Sequence, residues 1–303
     1  MLKSTRRASH FVVPWAKFAL EVAAKSVTNA QSDSLFAGRF HLRQELGPGG
    51  LGPLFRAEDI VRQHDVTLCF LPSGRSAEAA QLRIETLIAD MSDLWGPSIA
   101  KLLDVGASES QPWVTEELIV GQTLEQRITD AGRLQPVAAA RLVAALAEAL
   151  ARPHQRGIYH RDLKPRNVML VADSPRLLGF GLSHAALVGP ASLVSATPEM
   201  MPPEQVLRQD MDHRADVYSL GAVLYFAAVG EPPFKGGSKD QMIAANLGFR
   251  PPRPSDRAPE VPDGLELIIL RAMARRKEDR YQSMEEFRDA LVQWANSWTE
   301  VDA

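Results

Sequence analysis

The stretch from Tyr159 to Leu170, YHRDLKPRNVML, constrains this chain more than any other. It concentrates chemistry in a few residues. Asp162 is suited to accept a proton from an attacking hydroxyl, and Lys164, two residues on, to meet a phosphate. Asn167 can hold a divalent ion through its amide oxygen. Val168 to Leu170 form an apolar run expected as a short buried strand, which would fix the loop to a core.

The chain has 303 residues, enough for one large core or two modest lobes. Its net charge of −3 implies no general attraction to nucleic acid. Cys69 is the single cysteine and excludes an intrachain disulfide, which suits a reducing, cytoplasmic setting. Residues 1–37 precede any recognisable domain. Their partly apolar stretch, Phe11 to Ala24, is broken by Pro14, Lys17 and Glu21 and is too short for a transmembrane segment. Either a short amphipathic helix from Trp15 to Ala24 or a weakly ordered tail is expected there.

Periodicity places strands at Phe40 to Leu46, Pro53 to Glu58, Asp65 to Leu71, Lys101 to Val105 and Gln111 to Glu117, with a helix from Ser76 to Met91. Between the first two strands lies Gly47-Pro48-Gly49-Gly50-Leu51-Gly52. Glycines let backbone N–H groups approach a phosphate, but the same pattern also makes plain turns. Pro48 and Pro53 would stiffen the hairpin. Helices are expected at Thr123 to Thr129, Pro136 to His154, Asp216 to Val229, Asp240 to Leu247, Leu265 to Ala274 and Ser283 to Trp294.

The Tyr159 stretch resembles the catalytic loop of protein kinases, H-R-D-L-K-P-x-N. With the glycine loop, Gly179-Phe180-Gly181 and the Asp216 helix, the resemblance extends over Phe40 to Trp294 and is strongest for bacterial-type serine/threonine kinases. It implies an α+β, two-lobed protein-kinase-like fold, with a small antiparallel-sheet lobe carrying one main helix and a larger, mainly helical lobe. The implied domains are an N-terminal extension (1–37), an N-lobe (38–118), a C-lobe (119–296) and a tail (297–303).

The resemblance also assigns roles. Asp162 and Lys164 are the catalytic candidates. Gly47, Gly49, Gly52, Glu117 and Asn167 are the nucleotide-binding ones, with Leu118 to Gly121 as the segment that receives adenine. His160, Arg161, Phe180, Asp216 and the pair Glu204–Arg280 are architectural. Glu85 matches the glutamate that pairs with the lysine of the Cys69 strand. Two positions depart from the pattern: Cys69 stands where the family has that phosphate-clamping lysine, and Gly179 where it has a metal-binding aspartate. Asn167 is then the remaining Mg²⁺ ligand, and Glu116 falls at the back of the adenine pocket. Ser183, Ser192, Ser195 and Thr197 are candidate phosphorylation sites, with Arg161 as a partner for the phosphate.

These departures lead to the expectation of a catalytically impaired kinase-like module that binds a protein partner in signalling and binds ATP weakly or not at all. The alternative is an active ATP-dependent serine/threonine kinase with a rebuilt site that uses Asp162 as base.

Overall fold

A computed structural model describes residues 35–73, 77–108, 111–172, 174–186, 198–236, 238–248 and 250–298. The expected helix at Trp15 to Ala24, Asp173, and the hydroxyls of Ser192, Ser195 and Thr197 lie outside these residues. The smaller lobe is an antiparallel five-stranded sheet built from β1 (Phe40–Pro48), β2 (Pro53–Asp59), β3 (His64–Phe70), β4 (Leu102–Ser108) and β5 (Gln111–Glu117), in the order β1-β2-β3-β5-β4. One long helix, α1 (Ala77–Asp90), joins it. Phe40, Phe55, Val66, Leu68, Phe70 and Trp113 fill one face of the sheet, with Phe40 edge-on to Trp113 at 4.8 Å. Cys69, Leu71, Leu102, Val105 and Val114 pack on the other face against Ile84 of α1. The alternation of strand side chains between faces produces these two cores.

The larger lobe begins with β6 (Gln122–Thr123) and α2 (Leu124–Ala131), whose N-terminus is closed by a reciprocal Thr123–Gln126 capping box. Then come α3 (Pro136–Gln155), β7 (Val168–Val171), β8 (Ser174–Leu177), α4 (Leu182–Ala186), α5 (Pro203–Val206), α6 (Arg214–Val229), α7 (Lys239–Gly248), α8 (Asp263–Ala272) and α9 (Met284–Ser297). Helix α6 is buried nearly all round and forms the axis of the lobe; α3 covers it with an alanine-rich face. The two-lobed architecture is the one expected. Four short elements are additions: β6, β8, which pairs with β7, and the helices α4 and α5. Among the described residues, no helix is long and apolar enough to cross a membrane.

Candidate active site

Between the lobes lies a cavity of about 570 Å³, within the range that holds a small organic ligand. Its lining includes Gly49, Gly50 and Leu54 above, Thr67, Cys69 and Glu116 at the back, and Asp162, Asn167 and Gly179 below. The glycine turn is tightly made. Pro48 and Pro53 face each other on the last rung of the hairpin, and Gly49 N–H donates to Gly52 O at 2.8 Å. A Cβ on Gly49 would fall 2.8 Å from that same oxygen, so the turn requires glycine there. Gly47 and Gly52 shape the turn but do not line the cavity.

The loop expected to carry the chemistry is held from below by Asp216. Its Oδ2 accepts His160 N–H at 2.7 Å and its Oδ1 accepts Arg161 N–H at 2.8 Å. Arg161 adopts φ 62°, which this double clamp fixes. His154 Nε2 reaches the same carboxylate at 2.9 Å, a contact that no local motif signals. Burial acts to raise the Asp216 pKa, but these donors more than offset it and hold the carboxyl below its usual range. His160 is fully buried, which lowers its pKa and keeps it neutral. Its ring lies 5.3 Å from that of Phe180. Phe180 shares the large-lobe core with Leu87 and with Met91, just past α1.

Asp162 is the centre of a polar cluster. Lys164 Nζ donates to both of its carboxylate oxygens at 2.9 Å. Asn167 Nδ2 donates to Asp162 O at 2.8 Å and to Oδ2 at 3.2 Å. Because the Asn167 amide nitrogen is spent on Asp162, its Oδ1 is left to serve the cavity. Ser183 Oγ, on α4, also donates to Asp162 Oδ2, at 3.0 Å. Lys164 is almost wholly buried, so its charge serves Asp162 directly.

The two departures from the family pattern are accommodated differently. Cys69 joins the apolar cluster with Leu182, Ala185 and Ala186. Burial, with the nearby Glu116 charge second, pushes its thiol up to about 12. Gly179 sits at φ +69°, a conformation L side chains rarely adopt, and a Cβ there would meet open space. Its N–H donates to Glu116 Oε1 at 2.7 Å. Burial raises the Glu116 carboxyl to about 8, although the Gly179 N–H works against the rise. Glu116 is therefore largely neutral at pH 7, which is how the cavity tolerates a carboxyl at its back wall.

The structural candidate Glu85 and the binding candidate Glu117 lie elsewhere. Glu85 faces solvent on α1 and accepts from Gln81 Nε2 at 2.9 Å; Ile84 is the residue that turns inward. The Glu117 side chain points away from the cavity and pairs with Arg176 at 2.8 Å, tying β5 to β8, while Leu118 and Ile119 line the cavity beside it. Farther below, Glu204 and Arg280 form a buried, two-pronged ion pair at 2.7 and 2.8 Å.

A two-lobed fold with a glycine turn over a cavity, and a His-Arg-Asp loop clamped beneath it, defines the protein kinase architecture. The chain belongs to the protein kinase domain family, which matches residues 40–289. It is 33% identical over 264 residues to the serine/threonine-protein kinase PknB of Mycobacterium leprae, covering 84% of this chain and 42% of that protein. PknB of Mycobacterium tuberculosis is 32% identical over 274 residues, covering 87% and 44%. PknH of Mycobacterium bovis is 29% identical over 253 residues, covering 81% and 42%. The chain thus spans less than half the length of these curated relatives.

These relatives correct the expectation of an impaired, weakly nucleotide-binding module: each is named as a serine/threonine-protein kinase. That expectation gave Cys69 and Gly179 too much weight. Losing a cation and an anion together leaves the formal charge of the cavity unchanged, and the Asp162–Lys164–Asn167 cluster is assembled without either.

Proposed function

We propose that the chain is an ATP-dependent protein serine/threonine kinase domain with a rebuilt site. The observation that carries this reading is the Asp162 carboxylate, held by Lys164 and Asn167 on the cavity floor. A carboxylate fixed in this way orients an acceptor hydroxyl and takes its proton. Lys164, within 2.9 Å of both carboxylate oxygens, keeps a positive charge where the transferred phosphoryl group gains negative charge. Arg56 also lines the cavity, half-exposed and paired with Asp65, and is a second source of positive charge.

The residues present fit a magnesium nucleotide. Asn167 Oδ1 on the floor is the hard oxygen that would hold the ion together with the substrate's phosphates, both Asp162 oxygens being taken by Lys164. Mg²⁺ is held by few protein oxygens together with substrate phosphates. When bound, that ion neutralises phosphate charge. The backbone of Gly49 and Gly50 would lie over the phosphates, and Leu54, Leu118, Ile119 and Met169 supply apolar walls for a base. Transfer of labelled phosphate from ATP to a serine/threonine peptide, compared between wild type and Asp162→Ala, tests the reading.

A further inference from the structure

The chemistry at Asp162 makes no use of Glu116, a buried carboxyl on the back wall of the cavity. Its Oε1 accepts the Gly179 N–H at 2.7 Å. Among the described residues no protein group bonds to its Oε2. A buried polar atom without a partner is costly, and the space beside this one is the cavity that Glu116 lines.

The contents of the cavity decide what Glu116 meets. Asp162 and Asn167 mark the end where phosphate reacts, and Leu54, Leu118, Ile119 and Met169 supply apolar walls for a flat base. In a purine nucleotide the phosphates hang from N9 through the ribose. With the phosphates at Asp162, the edge that carries C6 reaches deepest, towards the back wall. A purine presents one of two groups there, an amino donor in adenine or a carbonyl acceptor in guanine. A carboxyl tells them apart by its own protonation. Burial favours the neutral form of Glu116. The carbonyl oxygen of that form is the better acceptor and receives Gly179, which leaves the O–H on Oε2 as a donor to the cavity. This donor matches a carbonyl and opposes an amino group, whereas an ionised Glu116 has the reverse preference. Thr67, opposite Glu116 on β3, lines the same wall, but a hydroxyl donates or accepts by rotation and selects neither.

We propose that Glu116 reads the group at C6 of the purine and that its acid form admits a guanine nucleotide, so that GTP serves as phosphoryl donor beside ATP. The proposal rests on the reading of the cavity as a nucleotide site with Asp162 as base. With GTP, the peptide hydroxyl takes the terminal phosphoryl group and its proton passes to Asp162. GDP leaves with the bridging oxygen and the electron pair of the broken bond. Around Glu116, Cys69 on β3 is sealed in the apolar seam under α4, where burial pushes its thiol up to about 12. Glu117 on the same strand is paired with Arg176 on β8, and Asp162 with Lys164 on the floor. His160, bonded to Leu178 O, is kept neutral by burial. Leu102 is the neighbour on β4, and Glu85 of α1 faces solvent.

The test measures binding of ADP and GDP with Mg²⁺ to the full chain by calorimetry at pH 6.5 and pH 9, and transfer of labelled phosphate from ATP and from GTP to a serine/threonine peptide. At pH 6.5 wild type should bind GDP at least as tightly as ADP and should transfer phosphate from GTP. At pH 9 its preference for GDP over ADP should fall about tenfold, the size of one hydrogen bond. In Glu116→Gln the amide oxygen still receives Gly179 and the NH₂ group can only donate. This variant should keep the low-pH preference at both values, which separates Glu116 from the nucleotides' own ionisation. ADP binding and transfer from ATP, with no binding of GDP at either pH, overturn the proposal and leave the kinase reading intact. A preference that does not change with pH in wild type, or that changes equally in Glu116→Gln, overturns the assignment to Glu116. Binding of neither nucleotide overturns the nucleotide reading and the proposal together.

Discussion

Gly179 N–H donates to Glu116 Oε1 across 2.7 Å, joining the back wall of the cavity to the Phe-Gly segment below. Burial lets the folded protein retain the Glu116 proton up to about pH 8, while the unfolded chain releases it above the ordinary carboxyl value of 4.5. This contribution to stability is full below the unfolded pKa and is lost as pH rises towards the folded one. Glu116→Gln keeps the acceptor for Gly179 and removes the ionisation. Its melting temperature should gain on that of wild type between pH 5 and pH 8, by up to about 4 kcal/mol in stability. Parallel melting curves across that range would contradict the assignment.

Glu204 and Arg280 form a different kind of pair, fully enclosed in the larger lobe. Arg280 also donates to the carbonyls of Ala274, Arg214 and Arg275 and stacks on Tyr218 at 4.9 Å. Glu204→Ala leaves a buried guanidinium without its counter-charge, and should cost about 3–5 kcal/mol in denaturant unfolding. Replacing both residues by apolar ones of similar size should cost less than the two single changes summed. Unchanged midpoints in the single variant would show that the pair is not sealed from water.

The Cys69 thiol is buried, with its pKa pushed up to about 12. Native protein at pH 8 should therefore react with a thiol-specific disulfide reagent at least about a thousandfold more slowly than a free cysteine. Full reactivity should appear on unfolding. Rapid stoichiometric labelling of the native protein would mean that α4 does not seal this seam.

Much of this structure was legible in the sequence where the pattern was local and strong. Strand β5 was expected at Gln111 to Glu117, the span it occupies. The boundaries of α1 and α3 fall within one residue of those the periodicity and Pro136 implied. Helix α4 was not legible. Five residues are too few to hold a helix alone; burial of Leu182, Ala185 and Ala186 against α1 makes it, with only an i, i+3, i+4 apolar spacing as a signal. In the site, the motif located Asp162, Lys164 and Asn167 but not how they converge. Nor could it show that Glu85 faces solvent, because helix rotation is set by which side, here Ile84, the core takes in. The neutral state of Glu116 depends on burial and on a backbone donor 63 residues away in sequence, and no local pattern encodes either.

The central claim is that the Asp162 cluster catalyses phosphoryl transfer, and the most direct test is labelled phosphate incorporation from ATP into a serine/threonine peptide, run with Mg²⁺ and separately with Mn²⁺. Wild type should transfer phosphate, and Asp162→Ala, still folded by circular dichroism but with a lowered melting temperature because it strands the buried Lys164 ammonium, should fall by about 10²-fold or more. Transfer by wild type no greater than that of Asp162→Ala, with either ion, would contradict the account.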